Sequence, residues 1–178
     1  MSDRGPTAPN AGTYADLYTM NFRAIRALFR DVTEDEARRR PDGRRNPMHW
    51  MLGHVTSYRA ELLALLGESP RRGQGLKAIF GKDVRSEESS WPPVPDLLAQ
   101  LADLEEQLSG SLRGMGDRAF EKKIDAPTGA AIPAVVFLHF HESYHVGQLG
   151  YLRTWIGKPA LVPPGPAPSA RPSAKDSG

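Results

Sequence analysis

Two histidines four residues apart, His141 and His145, stand in the stretch HFHESYHVGQ at residues 139–148. Four residues advance a helix by little more than one turn, so both imidazoles lie on one face and can reach one point. With Glu142 between them the block reads His-Glu-x-x-His, the spacing at which metallopeptidases carry two zinc ligands and a general base on one helix. Three chemistries fit these residues: metal-dependent peptide hydrolysis, a metal site of another kind, or two histidines that merely fall four apart.

The surrounding pattern separates them. Leu138, His141, His145, then Gln148 or Leu149, and Leu152 recur at helical spacing, so the imidazoles share a face with core leucines and are expected to be buried. A buried polar group without a partner costs on the order of 1–3 kcal/mol. Two on adjacent turns therefore call for a common partner, and a metal ion is the partner this spacing suits. A third ligand is required, and His54 is the natural candidate, because it sits on the apolar stripe Met51, His54, Val55, Tyr58, Leu62 and Leu65 of an earlier helix. The peptidase reading weakens downstream. In the extended pattern Gly would stand at 148 and His at 151, where this chain has Gln148 and Tyr151, and the only acid beyond His145 is Asp176. No segment alternates like a strand that could bind an extended peptide. His139 and His49 lie about 200° and 140° around their helices from the nearest candidate ligand, so both are expected at the surface or an interface.

The elements that must position these residues are helices. Thr13, with Asp16 three residues on, reads as the cap of a first helix reaching about Arg30, and Tyr14, Leu17, Ala24, Ile25 and Leu28 recur at helical spacing. TEDEARRRPDGRR reads as a short helical turn running into a basic loop. Asn46 and Pro47 open a second helix that ends at Leu66 before Gly67. Leu97, Leu101, Leu104, Leu108 and Leu112 form a regular seam on a third, from about Pro95. After the turn signal at residues 125–129, a fourth runs from near Ile132 to Ile156. Four helices without strands predict an all-α bundle. The long connection at 67–93 is expected to be a functional or mobile loop. Its Gly81-Lys82 lacks the spacing of a phosphate loop. Gly53, Gly147 and Gly150 each cost a helix about 1 kcal/mol, which close helix packing around the site would offset.

Of 178 residues none is cysteine, so no disulfide, thiolate ligand or cysteine nucleophile exists, and thiol chemistry needs a thiol from outside. A formal net charge of +2 with both signs abundant gives no reason to expect nucleic acid or an anionic membrane as partner, and the arginines at 38–45 read as a solvated loop. The chain shows no signal-peptide pattern and no membrane-length apolar run, so a cytoplasmic protein is expected. Residues 1–12 and 159–178 read as disordered tails, the second rich in Pro, Ala and Ser, around one domain at 13–158.

NPMHWMLGHVTSYR at 46–59 and HESYHVGQLGYLR at 141–153 together resemble the DinB/YfiT-like superfamily of metal-binding four-helix bundles, which includes mycothiol- and bacillithiol-dependent enzymes. The resemblance covers about Thr13 to Lys158. It implies an up-down-down-up bundle, one divalent metal on His54, His141 and His145, frequently a homodimer, and, in members of known chemistry, transfer of a low-molecular-weight thiol to a small electrophile. Three imidazoles with one to three positions left to water is the catalytic rather than the structural arrangement. It suits zinc or nickel, with iron or copper as alternatives. Glu142 reads as a base or as a partner of the ligands, with a solvated helix acid as the plain alternative. Tyr58, Arg59 and Gln148 read as groups that bind or orient substrate or thiol. The expected activity is a metal-dependent thiol S-transferase; a metal-dependent hydrolase of a small amide or ester and a non-catalytic metal or ligand sensor are the alternatives.

Overall fold

The computed structural model describes residues 10–81, 86–115, 123 and 131–161. Among these the regular elements are helical: α1 (Ala11–Phe29), α2 (Glu34–Arg38), α3 (Met48–Leu65), α4 (Leu76–Phe80), α5 (Val94–Met115) and α6 (Ala131–Trp155), with 3-10 turns at Pro41–Gly43 and Glu88–Ser90. The segment 125–129, read as a turn, lies outside the described residues. No helix among those described is long and apolar enough to cross a membrane.

The starts of the helices correct two details of the sequence reading. Asn10, not Thr13, caps α1, its side-chain oxygen accepting from the Thr13 amide at 2.9 Å, and Asp16 pairs with Arg113 of α5 instead of closing a capping box. The capping box belongs to α2, where Thr33 and Glu36 bond reciprocally. At α3 the cap position falls on Pro47, one residue after Asn46, and no side chain caps it. Gly67 and Gly157 follow the ends of α3 and α6 with φ of 81° and 94°, the left-handed turn that glycine makes cheaply.

Each of α1 and α3 packs against both α5 and α6. Along α1, Tyr18 bonds the Val135 carbonyl, Asn21 bonds Ser143 and the Leu28 carbonyl accepts from Arg153, so residue numbers rise together on α1 and α6. Against α5 they run oppositely, Asp16 to Arg113 and Thr19 to Glu105. The apolar core comes in two clusters. One gathers Ile25, Leu52, Val55, Leu97, Leu101, Leu149 and Leu152; the other gathers Tyr18, Leu62, Leu63, Leu104, Leu108, Val135 and Leu138. Between them lies a polar layer containing His54, Ser57, Arg59, Glu105, Glu142 and His145, all buried.

The connection after α3, expected as a long functional or mobile loop, is built into the core where it is described. Leu76, Phe80 and Trp91 are buried in the first cluster, and α4 packs on α3. The basic loop is likewise tied down in part: Arg38 pairs with Glu34 and Arg40 with Glu88.

Candidate metal centre

His54 is 3 % exposed on α3 and His145 8 % exposed on α6, with half-buried His141 one turn before it. The ligand atoms of the three all lie within 4.8 Å of one another. His141 Nε2 stands 3.3 Å from His54 Nε2 and 3.2 Å from His145 Nε2. At a metal–nitrogen distance of about 2.1 Å, nitrogens on one ion are separated by about 3.0 Å in octahedral and about 3.4 Å in tetrahedral geometry. The two separations from His141 fall inside that interval.

The far sides of the rings fix which nitrogens face inward. The Phe80 carbonyl oxygen can only accept, so His54 Nδ1–H donates to it at 2.7 Å and the Nε2 lone pair is left free. His145 Nδ1–H donates to Gln148 Oε1 at 2.7 Å, and the same amide donates through Nε2 to the Tyr144 hydroxyl at 3.0 Å. Two lone pairs therefore converge on His141 Nε2. One proton there would bridge to one neighbour in good geometry, whereas a cation between the three accepts from all of them. The donor set fits a divalent transition ion. His141 Nδ1, also buried, has no hydrogen-bond partner among the described residues.

Burial makes the site hold neutral imidazoles, the form that ligates. Loss of solvation, with a smaller contribution from the facing histidines, brings His54 and His141 down to about 4, at His54 against the hydrogen bond to Phe80; burial also lowers His145, against its hydrogen bond to Gln148 and the charge of Glu142. Aromatic rings wall the site. Trp50 stacks on His54 at 4.5 Å between centroids, Tyr58 packs on both His54 and His141 at 4.7 Å, and Tyr144 meets His145 edge-on at 5.4 Å.

Gly53 is what brings the Phe80 carbonyl to His54. A Cβ at residue 53 would lie 2.4 Å from Phe80 Cε2, so only glycine lets that ring lie flat against α3. The close approach expected at the helix glycines is thus real at Gly53, though with α4 rather than a long helix. At Gly147 and Gly150 a Cβ would meet nothing within 4 Å.

The other polar residues singled out in the sequence take different places. Gln148 orients the His145 ring. Glu142 is 4 % exposed, which excludes a solvated helix acid, and both its oxygens are held by Arg59: Nε to Oε2 at 2.9 Å and Nη2 to Oε1 at 2.5 Å. Arg59 is itself 1 % exposed and binds Glu105 with its remaining edge. His49, expected at the surface or an interface, is fully buried in the chain's own core, donating from Nε2 to the Pro92 carbonyl at 2.8 Å. His139 is half-buried against the Tyr18 ring at 5.2 Å. Sequence reasoning missed Phe80, Glu105 and Trp50. The Phe80 contribution is a backbone oxygen, which no side-chain pattern encodes.

A helical fold with three imidazoles converging from two helices defines a candidate mononuclear metal centre. The sequence matches the DinB superfamily over residues 17–149, and the chain belongs to that superfamily. Among curated proteins no match is found.

Proposed function

We propose that this chain is a metal-dependent transferase that holds one divalent ion on His54, His141 and His145 and directs a low-molecular-weight thiol at a small electrophile. The observation that carries the reading is the convergence of three Nε2 atoms in a chain with no thiol of its own. An ion held by three protein ligands keeps open positions, where it would acidify a coordinated thiol or water and supply a nucleophile. Zinc or nickel suits the all-imidazole set best, with iron or copper also compatible.

The chain's own residues favour thiol over water. General-base hydrolysis through the His-Glu-x-x-His block needs a carboxylate free to take a proton, and Glu142 has both oxygens engaged by a buried guanidinium. A thiol needs no such base, since coordination alone releases its proton. Gln148 holds His145 in the ligating tautomer. Tyr58, half-buried against two of the imidazoles, would pack on an incoming small molecule, and the buried Arg59 would act from the interior rather than on substrate.

The contact order supports the up-down-down-up arrangement: α1 runs with α6 and against α5, while α3, whose His54 and Arg59 meet His145 and Glu142, completes the bundle. A homodimer is supported by α6, which exposes Phe137, Phe140, Tyr144, Tyr151 and Trp155 along its length. Sedimentation of Phe140→Glu at low concentration checks it: the variant should be a monomer where the wild type is a dimer.

Incubating metal-loaded protein with a model electrophile, with and without low-molecular-weight thiols, tests the activity. Turnover only with thiol, lost in His141→Ala, is expected. Turnover without thiol would mean hydrolysis, and none across a broad panel would mean a sensor.

A further inference from the structure

Three ligands on two helices meet only if those helices keep their spacing and rotation. The Phe80 carbonyl and the Gln148 amide orient His54 and His145 as rings, but neither ties α3 to α6. Beyond the apolar packing, the ion pair that does joins Arg59, five positions after His54, to Glu142, next to His141. Their pairing is bidentate, and a planar fork on a carboxylate restricts rotation as well as distance.

The guanidinium is fixed from its other side. It binds Glu105 of α5; Thr19 of α1 donates to Glu105 at 2.5 Å; and Arg59 Nη2 reaches the Tyr18 carbonyl at 3.4 Å, with the Tyr18 ring 4.8 Å away. One residue or more from each long helix thus meets at this level, in the polar layer that also holds the imidazoles. Two carboxylates on one guanidinium leave one negative charge in that layer, which favours a cation nearby.

We propose that Arg59 and Glu142 are a positioning pair for the histidine centre, setting the geometry and the strength with which the three imidazoles take a divalent ion. The inference rests on the metal-binding reading of that site. Glu105 provides the internal control. It is as buried as Glu142 and pairs with the same guanidinium, but it lies on a helix that carries no ligand. Removing either charge takes one carboxylate from the same guanidinium; only at Glu142, next to His141, does a displaced side chain also displace a ligand.

The test compares Glu142→Gln with Glu105→Gln in the full chain, measuring Co2+ affinity by competition and the visible absorption of the Co2+-loaded protein, whose bands report ligand geometry. Outer partners of metal ligands are typically worth about 10–100-fold in affinity. Glu142→Gln is expected to bind at least about tenfold more weakly than Glu105→Gln, with a changed spectrum, while Glu105→Gln keeps the wild-type spectrum. Equal affinities, or a wild-type spectrum in Glu142→Gln, would overturn the proposal. Should a glutamine variant fail to fold, Arg59→Lys keeps the charge and loses the fork; a changed spectrum and weaker binding are expected, and wild-type values would overturn the proposal. If wild type takes up no Co2+, or His145→Ala takes it up equally well, the metal reading itself has failed.

Discussion

Two buried polar clusters share the layer between the apolar halves of the core, and they are completed differently. Around Arg59 the charges are paired within the chain: both oxygens of Glu142, one of Glu105 with a hydroxyl on the other, and a backbone carbonyl on the guanidinium. At the histidines, two rings have their outer nitrogens satisfied and the inner nitrogens face one another at 3.2 and 3.3 Å. The first cluster is closed by the fold itself. The second could hold an ion from outside.

The largest effect that would break this comparison is at Arg59. Removing one partner of a buried ion pair typically costs about 3–5 kcal/mol, because the remaining charge is left without solvent or counter-charge. Arg59→Ala leaves two such carboxylates, so its thermal unfolding should fall further than that of any single histidine variant without metal. A small loss would mean that the cluster is not the closed structural unit described. His54→Ala should differ, costing less than Arg59→Ala in metal-free protein but abolishing the gain on adding metal. That gain in the wild type is about 2.7 kcal/mol at 100 times the dissociation constant. Equal metal-induced shifts in melting temperature would place the ion elsewhere.

Gly53→Ala sharpens the comparison at the edge of the site. The added methyl must displace the Phe80 ring, at about 1–3 kcal/mol for overpacking, against which the better helix propensity of alanine returns about 1 kcal/mol. Net stability should fall modestly while metal affinity falls with it, since the Phe80 carbonyl moves away from His54. Unchanged affinity in a competition titration would remove that carbonyl from the account.

The response to pH probes the same rings without a substitution. His54 and His141 are held down to about 4 in the folded protein, whereas an unfolded chain protonates its histidines near 6.5. The unfolded state therefore binds protons first as pH falls. The stability of metal-free protein should be fully present above about 6.5 and decline progressively toward pH 4. Melts across that range should show the decline, and a flat profile would contradict the burial of these rings.

Much of this was legible in the sequence because it is periodic. The leucine seam of α5, the shared face of His141 and His145, and His54 among apolar neighbours all follow from 3.6-residue spacing. Arg59 shows the limit. Its place on the helix of a candidate ligand reads as that of a group that binds or orients substrate or thiol, whereas its burial depends on carboxylates from two other helices, one 46 and the other 83 residues away in sequence. Periodicity on one helix cannot announce such partners. His49 was missed for the same reason, its acceptor being a backbone carbonyl from the far side of a long connection. Gly53 gave a signal in its helix-breaking cost, but the contact it permits, with Phe80, belongs to tertiary packing.

The central claim is tested most directly by metal stoichiometry. Purified protein loaded with a divalent transition ion, passed over a desalting column and measured by elemental analysis, should carry one ion per chain, and His145→Ala should carry essentially none while keeping its helical circular dichroism. Undiminished metal in that folded variant would contradict a centre built on His54, His141 and His145.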